Sequence, residues 1–183
     1  MKAYLLDADA FRCMRDLSLL TWLASHCPQD VTLYLTEYIA RHELSLVSRE
    51  IQELERNGKL TVVPVARKSP AFEQARALKR QGFDAGEAEA IGWLMNTDVS
   101  PLPLFITNDR KARDGANGLS VPAGDVMDVI VEVIDSGLLS ESDAADYCSP
   151  WSDRSQSLCK PRDFTTFEAL LKQRRGRGSL RAP

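Results

Sequence analysis

Ala3-Tyr4-Leu5-Leu6-Asp7-Ala8-Asp9 is a short apolar run that ends in two acids. A run of this length without polar alternation reads as a strand buried on both faces, so the acids stand at its carboxyl end. Leu104-Phe105-Ile106-Thr107-Asn108-Asp109 repeats the pattern much later in the chain. Between and after them, strand-like stretches alternate with helical periodicity. That alternation predicts an α/β fold, a three-layer α/β/α sandwich with a central parallel sheet. Ligands of open parallel sheets bind outside the carboxyl ends of the strands, which is where Asp7 and Asp109 fall.

Working outward, residues 10–25 read as helical. Thr36 is a plausible N-cap for a long helix reaching Arg56, with Ala40, Leu44, Val47, Ile51 and Leu54 at helical spacing. Asn57-Gly58 stops it. A strand over 60–65 follows, then helices over 70–80 and 84–95, the strand over 104–107, a short helix over 111–116, a fourth strand at 120–122 and a helix over 124–136. After Leu139 the pattern dissolves. The reading divides the chain into a domain over residues 1–139 and an extension over 140–183. The extension is rich in Ser, Asp, Pro and Arg around Trp151, then offers a helix over 164–173 carried by Phe164, Phe167, Leu170 and Leu171. Its end, residues 172–183, has five basic residues and no acid, and reads as disordered.

With 183 residues and 44% hydrophobic content, the chain can build one full core but not two generous ones. Residues 1–139 hold 15 Lys and Arg against 20 Asp and Glu, whereas residues 140–183 hold 8 against 6. An acidic core argues against a module that binds nucleic acid by phosphate neutralisation alone, and leaves room for an enzyme whose acids are masked by metal. Cys13, Cys27, Cys148 and Cys159 form no CxxC pair, and only His26 and His42 are at hand to complete a zinc site, so reduced thiols are expected. No apolar run approaches the roughly 20 residues of a membrane-spanning helix, which points to a soluble, cytoplasmic protein with no membrane partner.

Each acid has a local explanation beside a functional one. Asp7 suits a turn or helix cap, and Asn108-Asp109 is ordinary turn chemistry. Glu43 lies between Ala40 and Val47 on the edge of an apolar helix face, where a solvated flank would serve equally. Asp84-Ala85-Gly86-Glu87 has capping-box spacing, with Asp84 as N-cap and Glu87 reaching back. Glu89 reads as a surface residue. The constellation says more than any member of it.

Leu6-Asp7-Ala8-Asp9-Ala10-Phe11, Glu43-Leu44, Gly86-Glu87-Ala88-Glu89-Ala90-Ile91 and Thr107-Asn108-Asp109-Arg110-Lys111-Ala112-Arg113 together resemble the PIN-domain family of nucleases, in order and spacing, over roughly residues 2–139. The resemblance implies an acidic pocket that binds Mg2+ or Mn2+ and hydrolyses RNA phosphodiesters. Asp7, Glu43, Glu87 and Asp109 match the family's four acids, as catalytic residues and metal ligands alike. Thr107 matches the small hydroxyl residue before the last acid, and Asp9 and Asp84 are secondary candidates. The family also implies a homodimer, and for its toxin members a small antitoxin protein that plugs the groove.

Carboxylates suit this chemistry because Mg2+ is a hard ion that takes oxygen ligands and keeps several waters. The bound ion lowers the pKa of its water and polarises the phosphorus centre. Arg110, Lys111 and Arg113 are candidates for phosphate contact. Two other readings stand: a PIN-like scaffold without activity that serves binding or assembly, and a haloacid-dehalogenase-like phosphatase. The Asp7-Ala8-Asp9 opening resembles that phosphatase family, although it wants Thr or Val where Phe11 stands.

Overall fold

The computed structural model describes residues 2–27, 29–152 and 160–176. Five parallel strands form its sheet: β1 (Lys2–Leu6), β2 (Val31–Thr36), β3 (Leu60–Val63), β4 (Leu104–Ile106) and β5 (Ala123–Gly124). Their order is β3-β2-β1-β4-β5, so the chain starts in the middle, builds outward to one edge, then returns to build the other. Helices flank the sheet, which makes the molecule a three-layer α/β/α sandwich, as the alternating pattern predicts. The topological switch lies between β1 and β4, where Leu5 faces Phe105. Loops leaving these two strands diverge to opposite sides, and the crevice between them is the natural ligand position.

The expected helix over 10–25 is two helices, α1 (Ala8–Asp16) and α2 (Leu19–His26), parted at Ser18, whose φ of 58° is left-handed. The long helix expected from Thr36 is a correction on a larger scale. Thr36 ends a strand that the helical reading overlooks, and the helix proper, α3 (Ser48–Arg56), begins later. Between them lie a π turn, Ile39–Glu43, and a 3-10 turn, Ser45–Val47. Val31-Thr32-Leu33-Tyr34-Leu35 buries its odd positions and half-exposes its even ones, the period of a strand. Gly58, at φ 66°, ends α3 as Asn57-Gly58 predicts.

The helix α4 (Pro70–Arg80) starts with Ser69 accepting from Phe72 N and Pro70 in its first turn, and α5 (Ala85–Leu94) packs against it. Gly92 makes that approach possible, since a Cβ there would lie 2.7 Å from the Ala71 carbonyl oxygen. The helices α6 (Arg110–Gly118) and α7 (Val126–Asp135) follow β4 and β5. The fourth expected strand, at 120–122, is displaced to Ala123–Gly124.

Beyond Leu139 the described residues are more ordered than the composition suggests. Ser140 caps α8 (Glu141–Tyr147), a 3-10 turn carries Trp151, and Thr166 caps α9 (Phe167–Arg175), which lies on α7. Trp151 is 1% exposed, and with Phe164, Phe167, Leu170 and Leu171 it belongs to the same apolar cluster as the strands. The basic stretch from residue 177 onward and Cys159 lie outside the described residues, whereas Lys172, Arg174 and Arg175 close α9. Cys13, Cys27 and Cys148 are buried. Among the described residues, no helix is long and apolar enough to cross a membrane.

Candidate active site at the carboxyl edge

Asp7 follows β1 directly, and its backbone amide donates to the Ile106 carbonyl at 2.9 Å, extending the β1–β4 ladder by one step. Continuing the registers of Leu5 with Tyr34 and with Phe105 sets Thr36 and Thr107 on either side of Asp7, on one face of the sheet. All three are buried. The Asp7 carboxylate caps α1, accepting from Ala10 N at 2.6 Å, and also accepts from the Thr107 hydroxyl. Thr107 Oγ1 accepts from Asp109 N at 3.1 Å, so a single hydroxyl ties the acid after β1 to the acid after β4. The Thr36 hydroxyl is buried with no hydrogen-bond partner among the described residues.

Burial pushes the Asp7 pKa from an ordinary 3.8 up to about 7, with Asp9 and Glu87 adding repulsion and the Thr107 and Ala10 hydrogen bonds opposing them. A capping role alone would give the opposite result, because hydrogen bonds and a helix N-terminus favour the ionised form. The residue is therefore held where its charge is costly.

Glu43 ends the π turn and crosses to the start of α5, where Gly86 N donates to its carboxylate. Gly86 has no Cβ for a steric reason: one built there would sit 2.9 Å from Glu43 Cδ and closer still to Oε1. π turns insert one residue into a helical ladder, often at functional sites, and here the insertion aims Glu43. Arg12 of α1 fastens the same turn, donating from Nη2 to the Glu43 carbonyl at 2.6 Å and pairing through Nη1 with Asp9 at 2.8 Å. The Glu43 pKa is raised by burial and by Asp84, with Arg12 and the Gly86 amide opposing.

The Asp84–Glu87 capping box is present: Glu87 N donates to Asp84 Oδ1 at 2.8 Å and Asp84 N to Glu87 Oε2 at 3.1 Å. Despite that bond the Glu87 pKa is raised, by burial first and then by Asp84, Asp109 and Glu43. Asp109 is exposed, and caps α6 by accepting from Ala112 N at 3.0 Å. The electrostatic neighbours named for Asp7, Glu43 and Glu87 thus link all four acids in one field, with Asp9 and Asp84 at its margin. Among the described residues, however, no three His, Cys, Asp or Glu side chains are grouped so as to hold one ion.

The basic residues divide. Arg110 is exposed and pairs with Asp114 at 3.4 Å, and Lys111 is exposed with Nζ 3.4 Å from the Gly82 carbonyl. Arg113 instead turns inward, donating from Nη1 to the Thr107 carbonyl at 2.8 Å. Glu89 is half-buried rather than a free surface residue, and accepts from Tyr38 N at 2.9 Å, which anchors the start of the π turn.

Sequence reasoning missed Arg12, Thr36 and Gly86. Gly86 alone carried a usable signal, because glycine inside the first turn of a well-capped helix costs roughly 1 kcal/mol against alanine unless a neighbour needs the space. Carboxylate oxygens are the donors a hard divalent cation takes, and a cation among them would relieve the raised pKa values of Asp7, Glu43 and Glu87, although among the described residues no three of them are grouped around one point. Compared with known proteins, the chain matches no protein-family model and no curated protein.

Proposed function

We propose that the chain is a divalent-metal-dependent nuclease of PIN-like type that hydrolyses RNA phosphodiester bonds. One observation carries the reading: four acids from separate elements share a field at the β1–β4 switch point, and the most buried of them has its pKa pushed to about 7. Asp7, Glu43, Glu87 and Asp109 would hold Mg2+ or Mn2+, which supplies an acidified water and a Lewis acid for phosphate. Thr107 holds Asp7 and Asp109 in register, Arg12 and the Gly86 amide hold Glu43, and the capping box holds Glu87. Arg110 and Lys111 stand beside the acids, exposed, as phosphate contacts.

A second reading, a PIN-like scaffold that binds a partner without catalysis, draws support from the ungrouped placement of the acids among the described residues. Both readings allow a homodimer, and the first allows an antitoxin as partner. Cleavage of a mixed-sequence single-stranded RNA in Mn2+, Mg2+ or EDTA separates the two. Metal-dependent cleavage that disappears in Asp7→Asn and Asp109→Asn establishes the nuclease and its pocket. A folded wild type that leaves RNA uncut in both metals favours the scaffold.

A further inference from the structure

Asp125 follows β5 and heads α7, and only 5% of its surface is exposed. Two guanidinium groups face it. Arg174 of α9 places Nη2 2.9 Å from its Oδ2, and Arg113 of α6 places Nη2 4.0 Å from the same oxygen. Arg174 also reaches Asp128 at 3.3 Å and Asp163 at 3.4 Å, so three carboxylates surround one buried cation. The other arm of Arg113 is the one bonded to the Thr107 carbonyl. Since the Thr107 hydroxyl joins Asp7 to the amide of Asp109, contacts run without a gap from the C-terminal helix to the most buried acid of the pocket.

We infer that Arg113 is a positioning residue that fixes the Thr107–Asp109 turn beneath the pocket acids, and that Arg174, by taking the closer place on Asp125, keeps Arg113 directed at Thr107. The inference rests on the metal-site reading above. A buried carboxylate attracts a guanidinium more strongly than a neutral carbonyl does. Without Arg174, Asp125 and Asp128 lose their compensating charge, and Arg113 is drawn from the Thr107 carbonyl toward Asp125. The turn then loses the bond that holds residue 107 from behind, and its hydroxyl no longer meets Asp7 and Asp109 in the same geometry. Phe167, Leu170 and Leu171 seat α9 so that Arg174 arrives at this point. The segment beyond residue 139 thus supports the pocket through Asp125 and Arg113.

The test uses the full chain with Arg113→Met, Arg113→Lys and Arg174→Met, and Arg76→Met, an exposed residue of α4, as a control for lost charge. Amide exchange is read in EDTA, and Mn2+ affinity is read without RNA by the electron paramagnetic resonance of the free ion. Arg113→Met and Arg174→Met should speed exchange at Asp109 and Ala112 while leaving α4 and α5 unchanged, and should weaken Mn2+ binding about tenfold or more. Arg113→Lys, which retains one donor, should fall between, and Arg76→Met should match wild type. Should Arg174→Met unfold, the Arg113 pair carries the test, since it leaves Arg174 on Asp125. Unchanged exchange at residues 107–112 in Arg113→Met, or a Mn2+ affinity no weaker than in Arg76→Met, overturns the inference. A wild type that binds no Mn2+ defeats the metal-site reading instead, and exchange then decides alone whether Arg113 and Arg174 hold the turn.

Discussion

Asp7→Asn should stabilise the protein at neutral and alkaline pH and do little in acid. The folded-state pKa of about 7 stands above the ordinary 3.8, so the folded state binds more protons than the unfolded one between these values. Stability therefore falls as pH rises through that window, and the cost is complete above the folded pKa. A gap of about three pH units at about 1.4 kcal/mol each places that cost near 4 kcal/mol at pH 8, falling below about 2 kcal/mol at pH 5. Asparagine has nearly the same shape, caps a helix as well as aspartate, and can still accept from Ala10 N and Thr107. The substitution removes the charge and keeps the bonds. Urea unfolding of both proteins in EDTA at pH 5 and pH 8 measures the difference. A gain at pH 8 that shrinks by about 2 kcal/mol or more at pH 5 is expected. A loss of stability at pH 8, or a gain equal at both values, would refute the claim that Asp7 is held against its ionisation.

Gly86→Ala should displace the Glu43 carboxylate, the end of a flexible side chain, at little cost in stability, so that Mn2+ no longer raises the melting temperature as in wild type. Calorimetry with and without metal reads both effects, and a variant whose melting temperature responds to Mn2+ like wild type would show that the displaced carboxylate is not needed there. Thr36→Val replaces a buried hydroxyl without a partner by a methyl group, and should raise stability in denaturant by about 1 kcal/mol. A loss of similar size would mean that the hydroxyl is satisfied in solution. Trp151→Ala should cost about 3–5 kcal/mol in the same assay, because the ring is fully enclosed and meets Phe164 edge-on. A cost below about 1 kcal/mol would mean that residues beyond 139 add little to the core.

Strands flanked by strong punctuation were legible in the sequence. Residues 3–6 and 104–107 are continuous apolar runs followed by acids, and both are neighbouring strands at the centre of the sheet. The helices over 70–80 and 84–95 carry Ser, Pro and Asp start signals, and lie close to where those signals put them. The strand at 31–36 carried a period-2 signal, but its last residue also serves as a helix cap in other contexts, and the following apolar positions fit a helical stripe. The π turn after it could not be read: no Gly or Pro interrupts Ile39–Glu43, and the inserted residue answers to Gly86, far away in sequence. For the site, local grammar placed Asp7 and Glu87 through capping roles and Asp109 through turn chemistry, and in the structure Asp7 caps α1, Glu87 completes a capping box and Asp109 caps α6. What local grammar omits is the environment: the burial that raises Asp7, the hydroxyl shared through Thr107, and the inward turn of Arg113. Arg174 was hidden for the same reason, since a basic residue among basic residues gives no hint that it is buried against three acids.

The order of the strands also bears on when the pocket can exist. β1 precedes the other strands in the chain and sits at the middle of the sheet, yet β4 on one flank follows three strands and five α-helices. Arg174 follows later still. Until residues 107, 109 and 174 are added, Asp7 is on the nascent chain without Thr107, Asp109 or the cation behind them, so the acids cannot assemble piecemeal. The pocket is complete only when the last of these residues has joined the chain.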